Sequence, residues 1–202
     1  MKILVLNCGS SSIKFQLIEM DAEEVLAKGQ VECIGTQSAI LSYKPKDKDK
    51  VSQTRPIAGH DEAISLVLAL LMDPEQGVIK SQKEIDGIGH RLVHGGEEFI
   101  ESVLIDENVK AGVRRCIQFA PLHNPHNLRG VESCEQLLPG VPQVGVFDTA
   151  FHHTLPPTAF TYALPMRFYR DYKIRRYGFH GTSHAYVARK AAEYLATPLE
   201  KL

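Results

Sequence analysis

The stretch "NCGSSSIK" at positions 7–14 holds an asparagine, a glycine, three consecutive serines and a lysine. Small donors packed this densely suit a bound phosphate. Gly9 lets the backbone turn so that amides converge on an anion; Ser10, Ser11 and Ser12 add neutral donors, and Lys14 adds one positive charge. Asn7 offers a carbonyl oxygen, a direct or water-mediated ligand for Mg2+, which favours oxygen donors. The spacing is not that of a Walker A loop, which needs G-x-x-x-x-G-K-[ST] leading into a helix. Here Lys14 lies five residues after Gly9, and the residues around and beyond it alternate as a strand does. The same residues also suit an ordinary polar β-turn.

In "GHRLVHGG" (89–96), Arg91 stands in an otherwise apolar strand between Ile88 and Val93. A buried guanidinium needs an anion, and its planar fork suits a carboxylate: either a bound one or a structural Asp or Glu. His90 and His94 share a strand face, but no third ligand stands at metal spacing, which favours packing or hydrogen-bonding roles. "APLHNPHN" (120–127) puts His123 and Asn124 at a junction into a helix, where free N–H groups can receive anions. His123 suits a bond to a substrate or phosphoryl oxygen, or a structural bond. Asn124 reads as the N-cap, with Pro125 at the first helical position.

Asp148 ends the apolar run of "VGVFDTAFHH" (144–153). Ligands gather outside the carboxyl ends of strands in open α/β sheets, and an Asp there can orient a nucleophile, accept a proton or contact Mg2+ through water. It can equally cap the next turn. His152 and His153, followed by Pro156 and Pro157, read as surface loop. In "RRYGFHGTSH" (175–184), Gly178 and Gly181 bracket Phe179 and His180 just ahead of a helix. Such glycines allow close approach to a ligand, and His180 there can stabilise charge on a transferring phosphoryl group. Arg175 and Arg176 add donors.

Regular elements must hold these stretches. Residues 2–7 and 12–19 read as strands joined by the serine loop, and "VLAKGQVECI" and "SAILSYKP" continue the strand pattern, with breaks at Gly29 and Gly35. "KPKDKDK" (44–50) reads as a solvated hairpin turn whose aspartates cancel the lysine field. The spacing predicts a helix at about 60–72, with Asp61 and Glu62 at the positive end of its dipole. A further helix pattern, with Val109, Val113, Cys116 and Ile117 on one face, runs through "DENVKAGVRRCIQF". The helix after Asn124 and one starting near Thr182 or Ser183 complete the set. The prolines of "LPPTAFTYALP" break any regular element there. Strands first, then strands alternating with helices, make an α/β architecture with a mixed sheet.

Bulk properties narrow the function further. The chain has 202 residues, 44% of them hydrophobic, and a formal net charge of −1. No general basic field exists to attract nucleic acid or an anionic membrane. The most apolar run, "AISLVLALLM" at 63–72, is about half a bilayer span. Cys8, Cys33, Cys116 and Cys134 lie far apart with no C-x-x-C pair, which argues for reduced thiols. A soluble, cytoplasmic protein is expected.

Taken in order, "VLNCGSSSIKF", "GHRLVHGG", "APLHNP", "GVFDTAFH" and "RRYGFHGTSH" closely resemble the N-terminal half of the acetate kinase family. The resemblance implies the actin-like ATPase (ribonuclease H-like) fold, a mixed β-sheet flanked by helices. It implies ATP-dependent phosphorylation of acetate to acetyl phosphate, with Mg2+ between two closing domains and a homodimeric parent. Matched residue by residue, Asn7 would be associated with the metal, and Ser10, Ser12 and Lys14 would form the phosphate loop. Arg91 would hold the carboxylate, and Val93, Leu122 and Phe179 would pocket the acetate methyl. Asp148 would be the catalytic aspartate, His180 the transition-state histidine and His123 a further active-site histidine.

Members of that family run on for a second half of similar length. The chain is therefore expected to be an N-terminal fragment, inactive alone, with residues 1–149 as the carboxylate- and phosphate-binding domain and 150–202 beginning the nucleotide domain. Such a fragment should self-associate, or cover its open apolar face with its own helix at about 183–196. A propionate or other short-chain fatty acid kinase would share every motif, because one methylene is worth only about 1–3 kcal/mol in such a pocket. A non-catalytic actin-like module binding a nucleotide or a partner is the other alternative, and it has no need of Arg91, Asp148 and His180 together.

Overall fold

The computed structural model describes residues 1–202. Five strands come first: β1 (Lys2–Cys8), β2 (Ile13–Glu19), β3 (Glu24–Glu32), β4 (Ala39–Pro45) and β5 (Val51–Arg55). Each is antiparallel to the one before, as expected for strands joined by short turns. Helix α1 (His60–Leu71) follows, then β6 (Gly87–Leu92), β7 (Val103–Leu104), α2 (Glu107–Arg115), α3 (Asn124–Leu137) and β8 (Gln143–Phe147). The short helices α4 (Pro157–Phe160) and α5 (Arg167–Tyr172) lead to the long α6 (Gly181–Leu195). The sheet order is β5-β4-β3-β2-β1-β6-β8-β7, with β1, β6 and β8 parallel and β7 antiparallel to β8.

Period-two alternation decides which face is buried. Leu4, Leu6 and Cys8 of β1 and Ile13, Phe15 and Leu17 of β2 point into a core of 23 residues. Ala63, Ile64, Val67, Leu68 and Leu71 of α1 close that core, at about 1.5–3 kcal/mol for each large side chain. A smaller cluster of Leu92, Phe99, Val109, Val113, Leu128, Val131 and Phe147 joins α2 and α3 to the ends of β6 and β8. The opposite face of the sheet is open over the first strands, while the first turns of α6 lie beside β8. There Lys14, Lys28, Lys44 and Lys50 line a groove of about 550 Å³ together with Asn7. The 44–50 stretch is indeed a hairpin connection, yet its lysines at both ends face this groove. No helix is long and apolar enough to cross a membrane.

Several local expectations change. Gly29 does not break a strand but lies inside β3, where a Cβ would sit 2.6 Å from Phe15 Cζ. It is there for close packing. The Pro156–Pro157 pair starts α4 instead of preventing it, because a first-turn proline gives up no helical hydrogen bond. Helix α3 begins at Asn124 with His123 as its N-cap, and the Asn124 side chain is committed elsewhere. Helix α6 begins at Gly181, ahead of Thr182 and Ser183.

Candidate active site

Parallel pairing of β1, β6 and β8 brings their carboxyl ends to one edge of the sheet. Asn7, Arg91 and Asp148 stand at those ends. Arg91 Nε donates to Asp148 Oδ1 at 2.9 Å, and Nη2 donates to Oδ2 at 2.7 Å. Nη1 donates to Asn7 Oδ1 at 3.4 Å. Asp148 is buried and its carboxylate raises the Arg91 pKa further above its ordinary value, against the opposing effect of partial burial. The arginine thus meets a protein carboxylate along one edge and keeps Nη1 loosely engaged.

His180 precedes α6 in the left-handed conformation, φ 54°. Its Nδ1 lies 3.3 Å from Arg91 Nη2 and 3.9 Å from Asp148 Oδ2. A guanidinium can only donate, so in this contact Nδ1 accepts and the ring N–H is the one on Nε2. Gly181 N–H donates to Asp148 O at 2.9 Å, which ties the start of α6 to the end of β8.

A cavity of about 470 Å³ opens beside this cluster. Seven of the residues singled out from the sequence line it: Arg91, Val93, Leu122, His123, Asp148, Phe179 and His180. Phe119, Ala120 and Pro121 complete its wall. Leu122 is 72% exposed, so that side of the wall faces solvent. Ser10, Ser12 and Lys14 do not line the cavity; the loop stands at the end of β1, with Lys14 in the basic groove. Gly9 N–H donates to Ser12 O at 2.8 Å, while the amides of Ser10, Ser11 and Ser12 meet no backbone carbonyl.

The amides at the head of α3 are not free for an anion. Asn124 N–H donates to Ala120 O, Pro125 has none, and those of His126 and Asn127 donate to His123 O. The amides of Thr182 and Ser183 in α6 meet no carbonyl. Arg175 turns away from the cavity: its Nη1 donates to Glu97 Oε1 at 2.8 Å, and the guanidinium lies 3.6 Å over the Phe160 ring.

His90 and His94 take packing and hydrogen-bonding roles. Buried His90 Nε2 donates to Gln143 Oε1 at 2.6 Å. His94 Nδ1 accepts from Gly96 N–H at 3.0 Å, and its ring packs against Phe119, Tyr177 and Phe179. Burial pushes both imidazoles down to about 4, so they stay neutral at physiological pH.

Three supporting side chains make tertiary bonds that the sequence does not announce. Asn127 donates to Cys8 O at 2.7 Å and accepts from Val93 N–H at 3.0 Å, spanning the ends of β1 and β6. Asn124 accepts from His94 N–H and donates to His94 O, at 3.2 and 3.0 Å. Buried His60 donates from Nε2 to Gly9 O at 2.7 Å, steadying the serine loop.

A profile described as the acetokinase family matches residues 2–202. The chain belongs to the acetokinase family. It is 56% identical over 202 residues to a protein called acetate kinase from Desulfitobacterium hafniense (strain DSM 10664 / DCB-2), a match covering all of this chain and 51% of that protein. Among solved structures, acetate kinase of Porphyromonas gingivalis superposes with a TM-score of 0.92 at 50% identity, covering 98% of this chain and 50% of that one. A propionate kinase of Francisella tularensis superposes with a TM-score of 0.90 at 39% identity, covering 97% and 49%. The eight-stranded mixed sheet with its helices is the actin-like ATPase fold of the acetokinase family. The chain spans about half the length of the acetokinase relatives that it matches.

Proposed function

We propose that this chain is the carboxylate- and phosphate-binding part of an acetate kinase, an enzyme that moves the γ-phosphoryl group of ATP onto acetate to give ADP and acetyl phosphate. The observation that carries this reading is one cavity holding Arg91, Asp148 and His180 beside an apolar wall of Val93, Leu122 and Phe179. An anion-fixing arginine next to a small apolar recess suits a short fatty acid.

The acetate carboxylate is already a nucleophile, so catalysis is mainly positioning and charge neutralisation. A carboxylate oxygen attacks the γ-phosphorus in line, and the bridging oxygen leaves with its electron pair on ADP. Arg91, held edge-on by Asp148, turns its remaining donor toward the carboxylate. His180 Nε2–H supplies a donor for the equatorial oxygens, and His123 lies across the same cavity. The unpaired amides of Ser10, Ser11 and Ser12, with the Lys14 ammonium, receive phosphate oxygens at the end of β1.

Mg2+ fits the oxygen donors present. No three His, Cys, Asp or Glu side chains cluster as a metal cage, and Mg2+ ordinarily keeps waters and substrate phosphates as most of its ligands. Asn7 Oδ1, engaged only at 3.4 Å by Arg91, is the group that would hold it, directly or through water, since both Asp148 oxygens already accept from Arg91. When bound it neutralises charge on the phosphates.

Residues 1–149 form the first domain in this reading, and 150–202 begin the second. Between Ala150 and Leu202 only Gly181 is buried, which fits a segment that completes its core elsewhere. The parent would be a cytoplasmic homodimer; four cysteines far apart in sequence with no C-x-x-C pair suit a reducing compartment. Propionate is a second substrate to weigh, because the propionate kinase superposes nearly as well as the acetate kinase. A hydroxamate assay for acyl phosphate on the full-length enzyme, comparing acetate with propionate, tests the reading. A preference for propionate would change the substrate; no acyl phosphate from either acid would overturn the function.

A further inference from the structure

The segment carrying Phe179 and His180 is fastened at two points to one turn, residues 150–154 and the strand end before it. At the first, Gly181 N–H donates to Asp148 O. The second fastening is His152, whose Nε2 lies 3.0 Å from Phe179 O. A carbonyl oxygen only accepts, so the proton sits on Nε2 and the imidazole donates.

The His152 ring also fills the space over Gly178. A Cβ there would lie 2.1 Å from His152 Cγ and 2.3 Å from Cδ2, so the ring and the glycine exclude any side chain between them. The edges of Phe151 and His184 hold the ring, with centroids 5.3 and 5.6 Å away. His152 is therefore half-buried packing and not the surface loop that the histidine pair and following prolines suggested.

Between the two fastenings lies the one strained residue of the site. His180 sits at φ 54°, a conformation a non-glycine residue keeps only where its surroundings over-determine it. Aiming the Phe179 carbonyl at His152 fixes the peptide plane before His180, and the Gly181 contact fixes the plane after it. The same constraint turns the Phe179 ring toward the cavity, against His94.

We propose that His152 is a positioning residue for phosphoryl transfer: its Nε2–H bond to the Phe179 carbonyl sets both the apolar wall and the orientation of His180. This rests on the proposed function. The test compares His152→Gln, which keeps a donor near Nε2, with His152→Phe, which keeps the ring and loses the donor, in the full-length enzyme. The Gln variant should stay within about threefold of the parent. The Phe variant should lose about 100-fold in kcat, the scale set by ångström-sized misplacement, with acetate KM raised, ATP KM unchanged and Tm within the parent's error. Parent-like kinetics for His152→Phe would overturn the proposal, as would equal losses in both variants with ATP KM rising in step.

A second readout needs no catalysis. In this chain, His152→Phe should move the His180 imidazole NMR signals and His152→Gln should not; unmoved signals in the Phe variant would also overturn it. Absence of acyl phosphate from the unsubstituted enzyme would instead sink the proposed function, and the NMR comparison would still decide on His152.

Discussion

Arg91 and Asp148 meet through two hydrogen bonds that are unequal in setting: the arginine side chain is 38% exposed and the aspartate side chain 4%. Removing the arginine strands a buried carboxylate, whereas removing the aspartate frees a half-solvated cation. Arg91→Ala is therefore expected to lower stability by about 1–3 kcal/mol, a figure reduced by the solvent around the guanidinium. In the full-length enzyme it should also raise acetate KM and cut kcat/KM by about 100-fold or more. Arg91→Lys should not rescue, because an ammonium lacks the fork. Urea titration and steady-state kinetics check both effects, and unchanged kinetics would remove Arg91 from the site.

His90 and His94 should make stability fall on the acid side. Unfolded, each takes up a proton as pH drops through about 6.5. Folded, burial delays this until about 4. Between those values the unfolded chain binds more protons, so each histidine removes about 1.4 kcal/mol per pH unit as pH falls through the window. Urea midpoints at a series of pH values read the slope. His94→Phe should flatten it by roughly half, and an unaltered slope would show that His94 is not the titrating group.

The serine loop should collect an anion even without the rest of the enzyme. Sulfate soaked into crystals is expected within hydrogen-bond reach of the Ser10, Ser11 or Ser12 amides, which have no carbonyl partner. Ser12→Ala should weaken that binding by only about 0.5–1.5 kcal/mol, since the amides remain. Density elsewhere and none at the loop would contradict the phosphate assignment.

Helix α3 touches β1 through Gly130, where a Cβ would lie 2.5 Å from Cys8 Sγ. Gly130→Ala gains helix propensity of about 1 kcal/mol, but overpacking against the strand costs about 1–3. The expected result is a lower Tm together with weaker sulfate binding, because Cys8 leads directly into the loop. A raised Tm would mean that α3 moves off the strand freely.

Tyr186, Val187, Tyr194 and Leu195 of α6 are all exposed, Tyr194 at 90%. Apolar surface of this kind on one helix favours contact with a second copy. Light scattering on the 202-residue chain should show association that Tyr194→Lys with Leu195→Lys reduces. A strictly monomeric parent chain would count against it.

Much of the lining of the cavity could be read from residue types because each motif concentrates unusual chemistry in an apolar context: Arg91 in a strand, Asp148 at a strand end, His180 between glycines. The strands were legible from alternation, and α1 from its apolar spacing. Asn127, Asn124 and His60 were not, since their partners lie far along the chain and nothing local distinguishes a cross-linking amide from a solvated one. Asn124 was misassigned for the same reason: its capping pattern is local, while its bonds to His94 are tertiary. Arg175 looked like a free donor until the fold supplied Glu97. The one-turn helices α4 and α5 escaped because four to six residues are too few to show a period.

The central position of β6 also governs how the site comes into being. Arg91 reaches Asn7 across 84 positions of chain and Asp148 across 57. Closing such loops carries an entropic toll before any contact rewards it, and parallel pairing is slow for that reason. The β1–β5 meander, joined by short turns, has no such obstacle. Refolding from denaturant should therefore restore the meander's far-UV signal first, with affinity for carboxylate returning in a slower phase, once β6 has slotted between β1 and β8.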